Sequence, residues 1–140
     1  MERVKHVMFQ PLVWMAVNII CVVINFNYFV FGNSYGVRWI NLPVSVIYMI
    51  YMIVLVYKSD WKYINVISCI YIVLGIIGYF VSKREFSADW LIIPSIVFFT
   101  PYAGIRYLLK SYPSWWIMCS GFGVLLLVVA YIKHRNNNKY

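Results

Sequence analysis

Residues 89–109 read DWLIIPSIVFFTPYAGIRYLL, an apolar run that two prolines and one arginine interrupt. Pro94 and Pro101 each remove a backbone hydrogen bond from a helix and disfavour helical angles in the residue before them. Arg106 shortens the uncharged part of the run to residues 90–105. The run is therefore close to the length of a membrane span, but its backbone is predicted to be kinked or broken.

The rest of the chain consists mainly of four further apolar runs, at residues 11–31, 41–57, 61–81 and 114–132. A helix rises about 1.5 Å per residue, so about 20 apolar residues cross a hydrocarbon layer about 30 Å thick. Outside the runs lie short loops and two basic tails, at 1–10 and 133–140. The sequence predicts an all-α, polytopic transmembrane bundle that forms a single domain.

The composition supports a membrane environment. Of the 140 residues, 64% are hydrophobic and 11% are charged, whereas soluble domains carry roughly 25% charged residues. The formal net charge of +8 comes from residues that lie mostly in the tails and between the runs. We therefore expect lipid headgroups, not nucleic acid, as the partners of these charges, and a multi-pass location in the plasma membrane.

The sequence predicts five spans with a kinked fourth helix; the alternative is four spans plus a re-entrant proline-containing segment. Non-helical backbone cannot face lipid, so neighbouring helices must shield residues 89–109 in either case. With five spans the Lys and Arg residues divide six to six between the two sides, and with four spans they divide seven to five. The positive-inside rule leaves the orientation undetermined.

Three polar or thiol side chains lie on one face of the first run. Asn18, Cys21 and Asn25 are three and four residues apart, which places them on one side of a helix. An amide in hydrocarbon needs a hydrogen-bond partner, so this face is predicted to contact another helix. The alternative is a polar lining for a ligand.

Tyr48 and Tyr51 lie well inside the second run. A phenol at membrane depth needs a hydrogen-bond partner, which a neighbouring helix can supply. The alternative is a pocket of aromatic and methionine side chains that binds a lipophilic or cationic ligand.

Small and weakly polar residues mark the third and fifth runs. Asn65, Ser68 and Gly75 lie in the third run, and Cys119 and Gly123 form a small-xxx-small pair in the fifth. Such residues let two helix backbones approach closely. The pattern predicts either tight packing within the bundle or self-association.

Two charged residues flank or enter the fourth run. Asp89 is expected to stabilise the start of its helix, because negative charge there opposes the helix dipole. Arg106 lies 17 positions later, about 25 Å along a helix, and is expected to reach a lipid phosphate.

The sequence holds no motif that indicates catalysis, a metal site or a cofactor. The three cysteines lie in different runs without CxxC or Cys/His spacing. We therefore expect a non-enzymatic protein that acts through helix–helix or lipid contacts. It would serve as an accessory, sensory or immunity-like component of a larger membrane system, with a membrane-protein partner or as a homo-oligomer.

Two other functions remain as alternatives. One is a small oligomeric transporter or channel in which Pro94 and Pro101 break the fourth helix, since broken helices build binding sites at membrane depth. The other is an interfacial lipid-modifying enzyme that uses Glu85 or Asp89.

Overall fold

The computed structural model describes the backbone of residues 2–31, 39–58, 64–83, 89–109 and 112–137. Within these ranges the regular elements are all helical, which confirms the all-α class. The α-helices are α1 (Glu2–Phe31), α2 (Asn41–Lys58), α3 (Ile64–Ser82), α4 (Ile92–Phe99) and α5 (Tyr112–Asn137). Two short 3₁₀ helices, Asp89–Leu91 and Thr100–Leu108, flank α4.

Four of the described helices are long and apolar enough to cross a membrane. They are Gln10–Asn27 within α1, the whole of α2, the whole of α3, and Pro113–Asn136 within α5. Two of these helices extend beyond the predicted spans, because residues 2–10 and 133–137, predicted as tails, continue α1 and α5. Pro11 lies inside α1; it removes only one intrahelical hydrogen bond, and the helix continues on both sides of it.

The run at 89–109 does not form one continuous α-helix. Pro94 lies in the first turn of α4, where no backbone N–H is needed. Pro101 lies at the beginning of the 3₁₀ helix that follows α4, so the chain changes from α to 3₁₀ geometry where the sequence predicts a break. We call residues 89–108 the broken segment.

Helices α1 and α2 run antiparallel. Asn25, late in α1, bonds to Ser45, early in α2. Asn18, one and a half to two turns earlier in α1, bonds to Tyr48, further along α2. The polar side chains of the two helices therefore face each other at two successive depths.

Helices α3 and α5 also run antiparallel and form a close contact. Gly75 packs against Ser120, and Gly78 packs against the ring of Trp116. This pairing brings the C-terminal end of α3, at Ser82, to the same end of the bundle as the start of α5. The broken segment lies between these two helices in sequence, so the chain leaves α3 and enters α5 at one end of the pair.

The core of the molecule is a cluster of aromatic rings around the broken segment. The ring of Tyr102 lies 5.2 Å from that of Tyr48 and 5.4 Å from that of Tyr71, measured between centroids. The ring centroids of Phe99 and Trp116 are 5.1 Å apart. Because Phe99 and Tyr102 contact α2, α3 and α5, the broken segment is packed inside the bundle.

Candidate functional site

The candidate site is the contact of the broken segment with α1 and α2. On α1, Asn18 Nδ2 donates a hydrogen bond to the carbonyl oxygen of Val97 at 3.0 Å. Asn25 Nδ2 donates to the carbonyl oxygen of Pro101, also at 3.0 Å. The two amides are seven residues apart, so one face of α1 binds two backbone carbonyls of the broken segment that are four residues apart.

The sequence explains why the carbonyl of Val97 can accept a hydrogen bond from Asn18. In an α-helix the carbonyl of Val97 would accept the backbone N–H of residue 101. That residue is Pro101, which has no N–H. The Asn18 amide therefore takes the place of the backbone donor that the proline removes, and the carbonyl of Val97 stays satisfied away from water.

Helix α2 completes the contact with two hydroxyl groups. Ser45 Oγ accepts hydrogen bonds from Gly104 N at 3.0 Å and from Asn25 Nδ2 at 3.2 Å. Tyr48 OH donates to Asn18 Oδ1 at 2.7 Å. Ser45 and Asn25 are fully buried, and Asn18 and Tyr48 nearly so, so these bonds lie in the interior of the bundle.

Gly104 fixes the end of the broken segment against α2. A Cβ atom at this position would overlap the backbone carbonyl of Asn41 and approach the backbone nitrogen of Leu42 at 2.7 Å. Backbone atoms cannot rotate away as a side chain can. Glycine is therefore required here by the close approach of two main chains.

Several buried oxygen atoms at this contact have no partner among the described residues. They are the hydroxyl oxygens of Thr100, Tyr102 and Tyr51 and the Oδ1 atoms of Asn25 and Asn41; the hydroxyl of Tyr71, on the neighbouring helix α3, is a further one. Buried polar atoms are normally bonded, so these atoms retain hydrogen-bonding capacity. Each of them is uncharged and can bond to water or to another neutral hydrogen-bonding group.

The structure brings some of the predicted site residues together and separates others. Asn18, Asn25, Tyr48 and Pro101 meet at the candidate site, and Cys21 is buried on the same face of α1. Tyr51 is half-buried, with its ring centroid 6.2 Å from that of Tyr48. Pro94 is half-buried as well.

A second group of predicted residues lies at the α3–α5 contact. Gly75 packs against α5, and Gly123 packs against α3, where a Cβ would come 2.8 Å from the carbonyl oxygen of Ser68. Cys119 is buried, and Ser68 Oγ donates to the carbonyl of Ile64 in its own helix at 2.9 Å. These residues pack within one chain.

Two predicted residues, Asn65 and Asp89, lie apart from both contacts, and a third, Arg106, lies two residues after Gly104 in the broken segment. Asn65 is exposed near the start of α3, and Asp89 is exposed at the start of the broken segment. Arg106 is half-buried near its end. The polar residues that the structure adds to the site instead are Ser45, Tyr71, Thr100, Tyr102 and Gly104.

One of the residues that the sequence analysis missed, Ser45, could have been predicted from its spacing. Asn41, Ser45 and Tyr48 are four and three residues apart, the same spacing that marks the face of α1. Thr100, Tyr102 and Gly104 surround a proline but follow no helical period, and nothing in their spacing indicates which helix they contact.

The described residues contain no group of three or more His, Cys, Asp or Glu side chains that could hold a metal ion. The polar atoms of the candidate site belong to amides, hydroxyls and backbone groups. No protein-family model, curated protein or solved structure matches this chain.

Proposed function

We propose that the chain crosses the plasma membrane four times and that the broken segment is re-entrant. The support is the antiparallel packing of α3 and α5, which places Ser82 and the start of α5 at one end of the bundle. A segment that leaves and returns at the same end does not cross. The contacts of Phe99, Tyr102 and Gly104 shield its interrupted helix from lipid, as a re-entrant element requires.

Four crossings place both termini on one side of the membrane. That side then carries seven Lys and Arg residues and the other side carries five. The seven are Arg3, Lys5, Lys58, Lys62, Lys133, Arg135 and Lys139; the five are Arg38, Lys83, Arg84, Arg106 and Lys110. The positive-inside rule then favours termini in the cytoplasm.

Cysteine labelling tests this topology. Glu2→Cys and Asn137→Cys are made separately in a Cys69→Ala background, because Cys69 is the exposed native thiol and Cys21 and Cys119 are buried. Intact cells and permeabilised cells are treated with a membrane-impermeant maleimide. We expect neither introduced thiol to react until the cells are permeabilised. Reaction of one thiol, but not the other, in intact cells would mean an odd number of crossings.

Within this topology, we propose that the protein is a non-enzymatic accessory or immunity-like component that acts by contact with another membrane protein. The observation that carries this proposal is the use of the interior polar groups. Asn18, Asn25 and Tyr48, which a transport pathway would use, bond to backbone or side-chain atoms of the same chain. The outward surfaces of the helices remain available for contacts.

Photo-crosslinking in cells tests the contact role. A photoreactive residue is placed at one outward position on each long helix, and at the buried Met52 as a matched control. The outward positions are Ile20, Ile47, Val73 and Ile117. We expect the outward positions on one side of the bundle to give a discrete adduct with a second membrane protein. Met52 should give none. Adducts with lipid alone at every outward position would refute the proposal.

The transporter or channel is a second candidate, and the unpartnered oxygens of Thr100, Tyr71 and Tyr102 favour it. They lie beside a discontinuous helix, the arrangement in which transporters bind substrate. Liposomes that contain only this protein should then show flux of a small neutral solute. Tyr102→Phe should lower that flux, and an absence of flux across a broad panel of solutes would rule this candidate out.

A further inference from the structure

A groove lies between the C-terminal ends of α2 and α5, far along both helices from the candidate site. Its walls are Ile53, Val54, Tyr57, Lys58, Val129 and Ile132, and its cavity volume is about 380 Å³. Ligand pockets span roughly 300 to 1,000 Å³. This groove therefore has room for part of one extended chain and not for a large ligand.

The exposed walls of the groove are apolar, and a lysine stands at the end of α2. Ile53, Val54, Val129 and Ile132 are aliphatic, and the ring of Tyr57 extends the apolar surface. Lys58, the last residue of α2, lines the groove with the aliphatic part of its side chain, which is long enough to carry the ammonium group beyond the groove to the headgroup layer. An occupant that matches both parts has an apolar chain and an anionic head.

We propose that this groove binds an anionic phospholipid, with an acyl chain along the apolar walls and the phosphate at Lys58. The charge of the surrounding surface favours a lipid with net negative charge over a zwitterionic one. Lys133 and Arg135 lie near the end of α5, at the same end of the bundle as Lys58. Basic side chains close to the headgroup layer attract anionic lipids.

Native mass spectrometry of the purified full-length chain tests the headgroup. The protein is equilibrated in mild detergent with equal amounts of phosphatidylglycerol and phosphatidylcholine that carry the same acyl chains. We expect retained phosphatidylglycerol to exceed phosphatidylcholine. Lys58→Gln should lower this preference about fivefold, and Lys58→Arg should keep it. Lys83→Gln removes a cation at the opposite end of the bundle and should leave the preference unchanged.

A second pair of variants tests the groove itself. Val54→Trp fills the cavity and should reduce retention of both lipids, whereas Val73→Trp, on an outward surface of α3 away from the groove, should not. Thermal unfolding in detergent identifies any variant that fails to fold. Excess inorganic phosphate should not displace the lipid, since phosphate alone lacks the acyl chain.

The proposal would be overturned by equal retention of the two lipids by the unmodified protein, by the same effect of Lys58→Gln and Lys83→Gln, or by the same effect of Val54→Trp and Val73→Trp. Displacement of the lipid by inorganic phosphate would also overturn it, because the groove would then be a phosphate site. The test needs no partner protein, so its outcome is separate from that of the photo-crosslinking experiment.

Discussion

Two contacts hold this bundle together by different means. Between α3 and α5, small residues such as Gly75 and Gly123 let two regular helices approach closely. Between the broken segment and α1 and α2, side-chain amides and hydroxyls bond to backbone groups. A regular helix satisfies its own backbone, so close packing is sufficient there. A broken helix does not, and the neighbouring helices must supply the missing partners.

The largest loss of stability is expected at Gly104. This residue both packs closely against the backbone of α2 and donates a hydrogen bond to Ser45. Gly104→Ala forces a Cβ into the backbone carbonyl of Asn41, and we expect the free energy of unfolding to fall by about 3 kcal/mol. Thermal or denaturant unfolding in detergent measures this change. Gly121→Ala is the control, because a Cβ there meets nothing within 4 Å and alanine favours the helix by about 0.5 to 1 kcal/mol. Equal stability of the two variants would contradict the close approach of the two backbones.

A smaller loss of stability is expected at the contact between α3 and α5. Gly75→Ala directs a methyl group at Ser120 Oγ and should destabilise the protein by about 2 kcal/mol. Ser120→Ala in the same chain removes that oxygen and should restore part of the loss. Nitrogen and oxygen atoms of the α5 backbone still lie 2.9 and 3.0 Å from the new methyl group, so recovery should be incomplete. If the variant with both Gly75→Ala and Ser120→Ala is no more stable than Gly75→Ala alone, the methyl group is obstructed by the α5 backbone and not by Ser120 Oγ.

The hydrogen-bonded contact should respond to loss of one amide. Asn25→Leu removes the donor to Pro101 and Ser45 and should lower the free energy of unfolding by about 1 to 2 kcal/mol. Faster hydrogen exchange in the broken segment should accompany this loss. Asn65→Leu, at an exposed position of α3, should change stability by less than about 0.5 kcal/mol. A similar loss in both variants would mean that the Asn25 bonds contribute nothing specific.

The smallest change in stability is expected when a tyrosine hydroxyl is removed. Tyr48 has a hydrogen-bonded hydroxyl, and Tyr102 is compared with it. Tyr48→Phe removes a hydrogen bond to Asn18 and should cost about 0.6 kcal/mol. Tyr102→Phe removes a buried hydroxyl that has no partner among the described residues, so its stability should be unchanged or raised. Unfolding measurements on the two variants compare them directly. Destabilisation by Tyr102→Phe as large as that by Tyr48→Phe would indicate a bound water or ligand at this hydroxyl.

The sequence predicts the donors of the candidate site better than it predicts the acceptors. Asn18 and Asn25 are recognisable because an amide on an apolar helix face needs a partner and because helical spacing aligns them. Their partners lie 79 and 76 residues away in the chain, and no local pattern encodes such a pairing. Gly104 likewise carries no signal of its own within the run 89–109, and the neighbouring backbone that requires a glycine there is defined only by the fold.

The helical class follows from the length and apolarity of the runs, which the structure confirms for four helices. The helix ends were predicted less well. Charged residues mark where a helix meets the headgroups but do not end it, so α1 and α5 continue into the predicted tails. The course of residues 89–109 depends on which ends of α3 and α5 lie together, which the sequence of that run does not contain.

The bonds between α1 and the broken segment also constrain the order of events during synthesis. The ribosome makes Asn18 and Asn25 long before it makes Val97 and Pro101, so both amides enter the bilayer without their final acceptors. The first two helices can pair in the interval, because Asn25 meets Ser45 and Asn18 meets Tyr48. We therefore expect assembly to begin with a hairpin of α1 and α2, into which the broken segment packs after residue 104 has left the ribosome.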